Sequence, residues 1–130
     1  MSYSFGLVVG KFWPPHRGHQ LLLEVAAAQA AELLVLVYAR PDDHAHPAPE
    51  RAAWLRELYR GDDFAQGPRI GSTPLRIIAL TAAADGLPPD AADDYTHREF
   101  VRQWLASRGY AIDVVFSSED YGPGFAAHLG

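Results

Sequence analysis

The sequence predicts an α/β domain built on a doubly wound parallel sheet, and three observations point there. Short apolar runs alternate with amphipathic segments in the order β-α-β-α-β-α-β-α. The runs are continuous in hydrophobicity, as strands covered on both faces require. Glycine- and proline-rich segments separate the elements at most of the switches. At 130 residues the chain, taken as one domain over residues 1–130, can bury a sizeable core without a disulfide or metal staple.

Phe5 to Gly10 is a short apolar run ending in glycine, which suits a buried strand. Phe12 to Gly18 is a loop punctuated by Pro and Gly. From His19 to Ala31, the residues Leu22, Leu23, Val25, Ala26 and Ala30 mark one apolar face of a helix. Leu33 to Ala39 is a second strand, and Pro41 to Pro49 a loop. A helix follows from Pro49 to Arg60, with proline where a helix start tolerates it, Trp54, Leu55 and Leu58 along one face, and Gly61 after it. Gly67 to Pro74 reads as a turn-rich linker, Leu75 to Leu80 as a third strand, and Asp85 to Asp94 as an acidic loop. Tyr95 to Ser107 is a helix with Phe100, Val101, Trp104 and Leu105 inward, closed by Gly109. Ile112 to Phe116 is a fourth strand and Tyr121 to Leu129 a short last helix. In such sheets the ligand lies beyond the carboxyl ends of the strands, near the point where strand order reverses. The loops after Gly10, Ala39, Leu80 and Phe116 therefore share one rim.

Composition excludes several classes. Hydrophobic residues at 48% and charged residues at 21% are ordinary for a globular chain. The absence of cysteine removes disulfide scaffolds, zinc fingers and thiol catalysis. A net charge of −5 argues against a surface that coats nucleic acid, so an anionic ligand is met by a local pocket. No run nears the roughly 18 apolar residues of a membrane span, and the Phe5–Val9 run is too short for a signal peptide. A cytoplasmic chain without a membrane partner is expected. Of its 11 basic residues all but Lys11 are arginines, which a composition bias explains while leaving Lys11 conspicuous.

The segment from Gly10 to His19 lies where the first strand hands over to the first helix. Backbone N–H groups at a helix start form a ready anion site. Gly18 permits close approach of the backbone, His16 and His19 bring imidazole donors, and Lys11 adds a point charge. A polyphosphate is the natural occupant. The Gly-x-Gly-x-x-Gly and Gly-x-x-x-x-Gly-Lys-Ser/Thr cradles are both absent. A metal site is not supported, because His44 and His46 do not offer the spacing that would complete one with this pair.

His16-Arg-Gly-His19 resembles the His-x-Gly-His signature of the nucleotidyltransferase superfamily. The wider Gly-Lys-Phe-x-Pro-x-His-x-Gly-His resembles its nicotinamide-nucleotide adenylyltransferase branch, and within it the NadR-type domains. Glu50-Arg51-Ala-Ala-Trp54-Leu55 is similar to that branch's Arg-x-x-Trp-Leu helix, and Ser117-Ser118-Glu119 to its Thr/Ser-Ser-Glu segment. His128-Leu129-Gly130 also falls where relatives have it, and the match is weakest from Phe64 to Asp94.

The resemblance implies a Rossmann-like nucleotidyltransferase fold and adenylyl transfer from ATP to nicotinamide mononucleotide, giving NAD and pyrophosphate. It implies His16, His19 and Lys11 as catalytic residues, the histidines on the ATP phosphates and Lys11 on phosphate or the mononucleotide. Gly10, Phe12, Gly18, Ser117 and Ser118 would complete the ATP site. Ser117 and Ser118 also suit a helix cap, and the two roles are compatible. Mg²⁺ would arrive with ATP, held by phosphates and water. On the acceptor side the resemblance implies Lys11 and Arg51, for which a solvated helix arginine is the competing reading. Trp13 sits in the same loop between Phe12 and Pro14, where an aromatic can line the pocket. Trp54 reads as core packing. Relatives stack nicotinamide on a tryptophan near the start of the third helix; this chain has Tyr95 in that neighbourhood.

The superfamily's Ile-Ser-Gly/Thr-x-x-Ile-Arg phosphate segment does not occur before Gly130, so a C-terminally incomplete domain is expected. Two alternatives stay open: another phosphate acceptor (phosphopantetheine, or a sugar or polyol phosphate) and a non-catalytic nucleotide-binding module. The choice between monomer and homo-oligomer also stays open.

Overall fold

The computed structural model describes residues 3–10, 17–38, 47–60, 67–81, 85 and 94–116. In chain order the elements are β1 (Tyr3–Gly10), α1 (Arg17–Gln29), β2 (Ala30–Tyr38), α2 (Ala48–Arg60), β3 (Arg69–Ile70), β4 (Thr73–Leu80), α3 (Asp94–Arg108) and β5 (Val114–Phe116). The strands form one sheet in the order β3-β4-β2-β1-β5. β1 pairs in parallel with β2 and β5, and β2 in parallel with β4.

The apolar runs explain the central strands. Leu33 to Val37 are all buried, and the two-residue strand period sends them alternately to opposite layers. Leu33, Val35 and Val37 join Val8 and Ile77 beneath Leu23, Ala26, Ala52 and Leu55 of α1 and α2. Leu34 and Leu36 join Leu7, Val9 and Leu80 beneath Val101, Trp104 and Leu105 of α3. Among the described residues, α1 and α2 thus cover one face and α3 covers the other. The chain steps outward from β1 through β2 to β4, then crosses back to place β5 on the far side of β1. Strand order reverses between β1 and β5, which is the doubly wound arrangement expected.

Several expectations need correction. The sheet is mixed rather than wholly parallel: the linker from Gly67 contains β3, which turns at Gly71 (φ 59°) and pairs antiparallel with the start of β4. Antiparallel pairing closes through a tight turn, so a two-residue strand escapes a reading based on apolar runs. Ala30 opens β2 instead of extending α1, and Asp94 opens α3 instead of closing a loop. Val25 points to solvent, since α1 seats its smaller Ala26 and Ala27 on the sheet. The buried face of α2 is Ala48, Arg51, Ala52 and Leu55, which leaves Trp54 36% exposed and Leu58 outside. Small residues let a helix approach closely, and they set its rotation more than its large side chains do. The last strand is shorter than expected, because Asp113 turns its carboxylate onto the backbone N–H groups of Ser4 and Phe5, each at 2.9 Å. The expected helix from Tyr121 to Leu129 lies outside the described residues.

Two close fits tie the layers together. A Cβ added at Gly6 would sit 2.9 Å from both Leu33 Cδ2 and Phe116 Cε2, so β1 has room for hydrogen only at that point. Thr73, 3% exposed, donates its hydroxyl to the carbonyls of Ala27 (2.9 Å) and Ala30 (3.3 Å), joining the start of β4 to the end of α1. Among the described residues no helix is long and apolar enough to cross a membrane.

Candidate nucleotide site

Parallel strands end together, so Gly10, Tyr38, Leu80 and Phe116 mark one rim of the sheet. Each helix returns antiparallel to the strands, so its first turn starts from that same rim. β1 ends at Gly10 beside β5, where strand order reverses. Gly18 and His19 lie in the first turn of α1, Arg51 in the first turn of α2 and Tyr95 in the first turn of α3. These expected site residues therefore share the carboxyl rim with Gly10. Lys11, Phe12, Trp13, His16, Ser117 and Ser118 lie outside the described residues.

Arg51 overturns the solvated alternative. It is 2% exposed and shares its helix face with Ala48, Ala52 and Leu55. A guanidinium is a planar fork of donors that suits phosphate or carboxylate, and this one is enclosed in the first turn of α2. The backbone N–H groups of Glu50 and Arg51 meet the Pro47 carbonyl at 3.0 and 3.2 Å, which fixes that turn. Tyr95, by contrast, is 63% exposed, with a ring open to solvent at the same end of the sheet.

Sequence reasoning missed one pair. Tyr38, the last residue of β2, hydrogen-bonds through its hydroxyl to Nδ1 of His97, which lies 59 residues on in the first turn of α3. The two rings meet edge-on at 5.4 Å, and Phe100, one turn further along α3, stands edge-on 6.3 Å from Tyr38. No local spacing announces this contact, because it arises only when α3 crosses the sheet face. A polar aromatic at a strand end and a histidine opening a helix were the available signals.

Among the described residues, the resolved pKa shifts lie away from this rim. The Ser4 and Phe5 N–H groups hold the Asp113 carboxyl below its ordinary value. Burial, with Glu24 adding to it, pushes the Tyr59 phenol up near the far end of α2. Hydrogen bonds to Glu32 and Glu99 raise Arg76 and Arg102 on the surface. Among the described residues no group of three or more histidine, aspartate or glutamate side chains is placed to hold a metal ion.

Similarity to known proteins agrees with this geometry. A family model described as cytidylyltransferase-like matches residues 7–115, from the middle of β1 into β5. The chain is also 25% identical over 139 aligned residues to the Trifunctional NAD biosynthesis/regulator protein NadR of Escherichia coli (strain K12). That alignment takes in 98% of this chain and 31% of the longer protein.

Proposed function

The chain belongs to the cytidylyltransferase-like family of the nucleotidyltransferase superfamily, and from that premise we propose that it transfers AMP from ATP to nicotinamide mononucleotide. The observation that carries the reading is the reversal of strand order between β1 and β5. The Gly10-Lys-Phe-x-Pro-x-His-x-Gly-His19 segment leaves β1 at that point and runs into α1. The likeness to a protein named for NAD biosynthesis supports nicotinamide mononucleotide as the acceptor.

In the proposed reaction a phosphate oxygen of the mononucleotide attacks the α-phosphorus of ATP. The bond to the bridging oxygen of the β-phosphate breaks, and pyrophosphate leaves with that electron pair. Such a displacement asks for alignment and charge neutralisation more than for a covalent nucleophile, which fits a chain without cysteine. His16 and His19 donate to the ATP phosphates and hold charge as pyrophosphate departs. Lys11 neutralises phosphate or orients the mononucleotide, and Gly10, Phe12 and Gly18 let the backbone lie against the nucleotide. Ser117 and Ser118 extend the ATP side beyond β5. Arg51 offers its fork to the acceptor phosphate, with Trp13 and Tyr95 as aromatic surfaces. Mg²⁺ would come with ATP as part of the substrate, with no residue of the chain assigned to hold it, and would supply charge neutralisation for the leaving group.

The test is direct. The chain is mixed with ATP, Mg²⁺ and nicotinamide mononucleotide, and NAD is measured. NAD formation is expected. Measurable ATP binding without AMP transfer to the mononucleotide, phosphopantetheine or a polyol phosphate would leave a nucleotide-binding module and overturn the enzyme reading.

A further inference from the structure

A two-substrate transfer at the rim of a sheet needs two subsites that meet there. The helices reach that rim from both faces of the sheet. α1 and α2 cover one face of the sheet, and the chain after Gly10 continues into α1 at Arg17. α3 covers the other face, and it brings a histidine to the same rim. His97 is half-buried, so it is neither a core residue nor a freely solvated one. Its Nδ1 is engaged by the Tyr38 hydroxyl, while its Nε2 makes no hydrogen bond among the described residues. Tyr38 itself meets both His97 and Phe100, one turn apart on α3, by edge-on ring contacts, so the phenol is packed against that helix.

That pattern is the one by which an imidazole is aimed. A partner on one ring nitrogen sets the tautomer and the ring orientation, and leaves the other nitrogen to meet a ligand. Tyr38 ends β2, directly beside β1, where Val37 pairs with Gly10. The pair therefore stands one strand from the start of the Gly10 segment, on the opposite face from α1.

We infer that His97 is a binding residue for the phosphate-acceptor substrate, contacting a polar oxygen of a phosphorylated ribose or alcohol through Nε2, with Tyr38 as its positioning residue. This rests on the adenylyl-transfer reading and adds to it an acceptor contact from the α3 side of the rim, across the sheet from Arg51 of α2. It assigns that role to the half-buried His97 ahead of Tyr95, which is 63% exposed.

The full chain is assayed for AMP transfer from Mg²⁺-ATP to nicotinamide mononucleotide, with phosphopantetheine and glycerol 3-phosphate as further acceptors. His97→Phe keeps a ring against Tyr38 and removes the donor. It is expected to raise the acceptor KM roughly 10- to 100-fold and leave the ATP KM within about twofold. His97→Gln, whose amide reaches near the Nε2 position, recovers part of the loss. Tyr38→Phe keeps the packing against Phe100 and raises the acceptor KM about 3- to 10-fold. An unchanged acceptor KM in His97→Phe overturns the inference. So does a parallel rise of both KM values with a lowered melting temperature, which marks a purely structural pair. Turnover with another acceptor refutes only the mononucleotide reading, and the same KM split is then read on that acceptor. If the wild-type chain neither turns over nor binds any of the three acceptors by calorimetry, both readings fall.

Discussion

Replacing Thr73 by valine isolates one buried hydroxyl without changing the shape of the side chain. Thr73 is 3% exposed, and its Oγ1 lies 2.9 Å from the Ala27 carbonyl and 3.3 Å from the Ala30 carbonyl. Ala27 falls in the last turn of α1, where a carbonyl has no helical N–H to receive. Valine fills the same space, so the packing term stays near zero. What is lost is the hydrogen bond, and the Ala27 carbonyl is left in a dry place. A group stranded in this way costs about 1–3 kcal/mol. For a chain of this length that is a fall in melting temperature of about 3–5 °C per kcal/mol. Denaturant titration should show a lowered midpoint with an unchanged slope, because the surface exposed on unfolding is the same. Thr73→Ser keeps the hydroxyl and gives up one methyl, so its loss should be about 0.5–1.5 kcal/mol. If Thr73→Val folds within about 0.3 kcal/mol of the wild type, the seam between α1 and β4 is not held by this hydroxyl.

Three further outcomes follow from the same geometry. Gly6→Ala forces a methyl to within 2.9 Å of Leu33 and Phe116 and should destabilise the fold by about 1–3 kcal/mol in denaturant titration; adding Phe116→Leu should restore part of it. Asp113 has a folded-state pKa below its unfolded value, so its carboxylate contributes stability above the unfolded value, about 3.9. That contribution fades as pH falls through the folded value, so the stability gap between wild type and Asp113→Asn should be full at neutral pH and close in acid. A gap that persists in acid would refute the carboxylate's role. His19→Ala should lower kcat about 10²- to 10³-fold while calorimetry shows mononucleotide affinity nearly unchanged, as a donor acting on the departing pyrophosphate would require. Equal losses in both would mean a general binding or folding role.

The elements that sequence reasoning located well are those whose signal is local. The runs at Leu7–Val9 and Leu33–Val37 are apolar without interruption, and they are the buried strands beneath helices on both faces. The handover from Gly10 to α1 could be recognised because an apolar run, a Gly- and Pro-containing stretch and an amphipathic run follow one another within a few residues. The faces of helices were harder. Trp54 and Leu58 advertise burial by size, yet α2 turns Arg51 and two alanines inward. Hydrophobic periodicity weighs what a residue is made of, whereas packing weighs how closely a helix can approach the sheet. Arg51 could not be assigned from the sequence for the same reason: its chemistry is compatible with either side of a helix.

By itself, the sequence determined the alternation of strands and helices and the buried character of the central strands, and it marked the Gly10–His19 segment for which phosphate chemistry is proposed. Each follows from neighbours along the chain, where backbone preference and side-chain period act within a few residues. Tertiary structure alone decided that the sheet is mixed, that its order reverses between β1 and β5, and that Arg51 is enclosed. It alone joined Tyr38 to His97, because residues 59 positions apart meet only once α3 has packed across the sheet. A contact of that kind is created by the burial of a whole helix face, and no short stretch of sequence contains it.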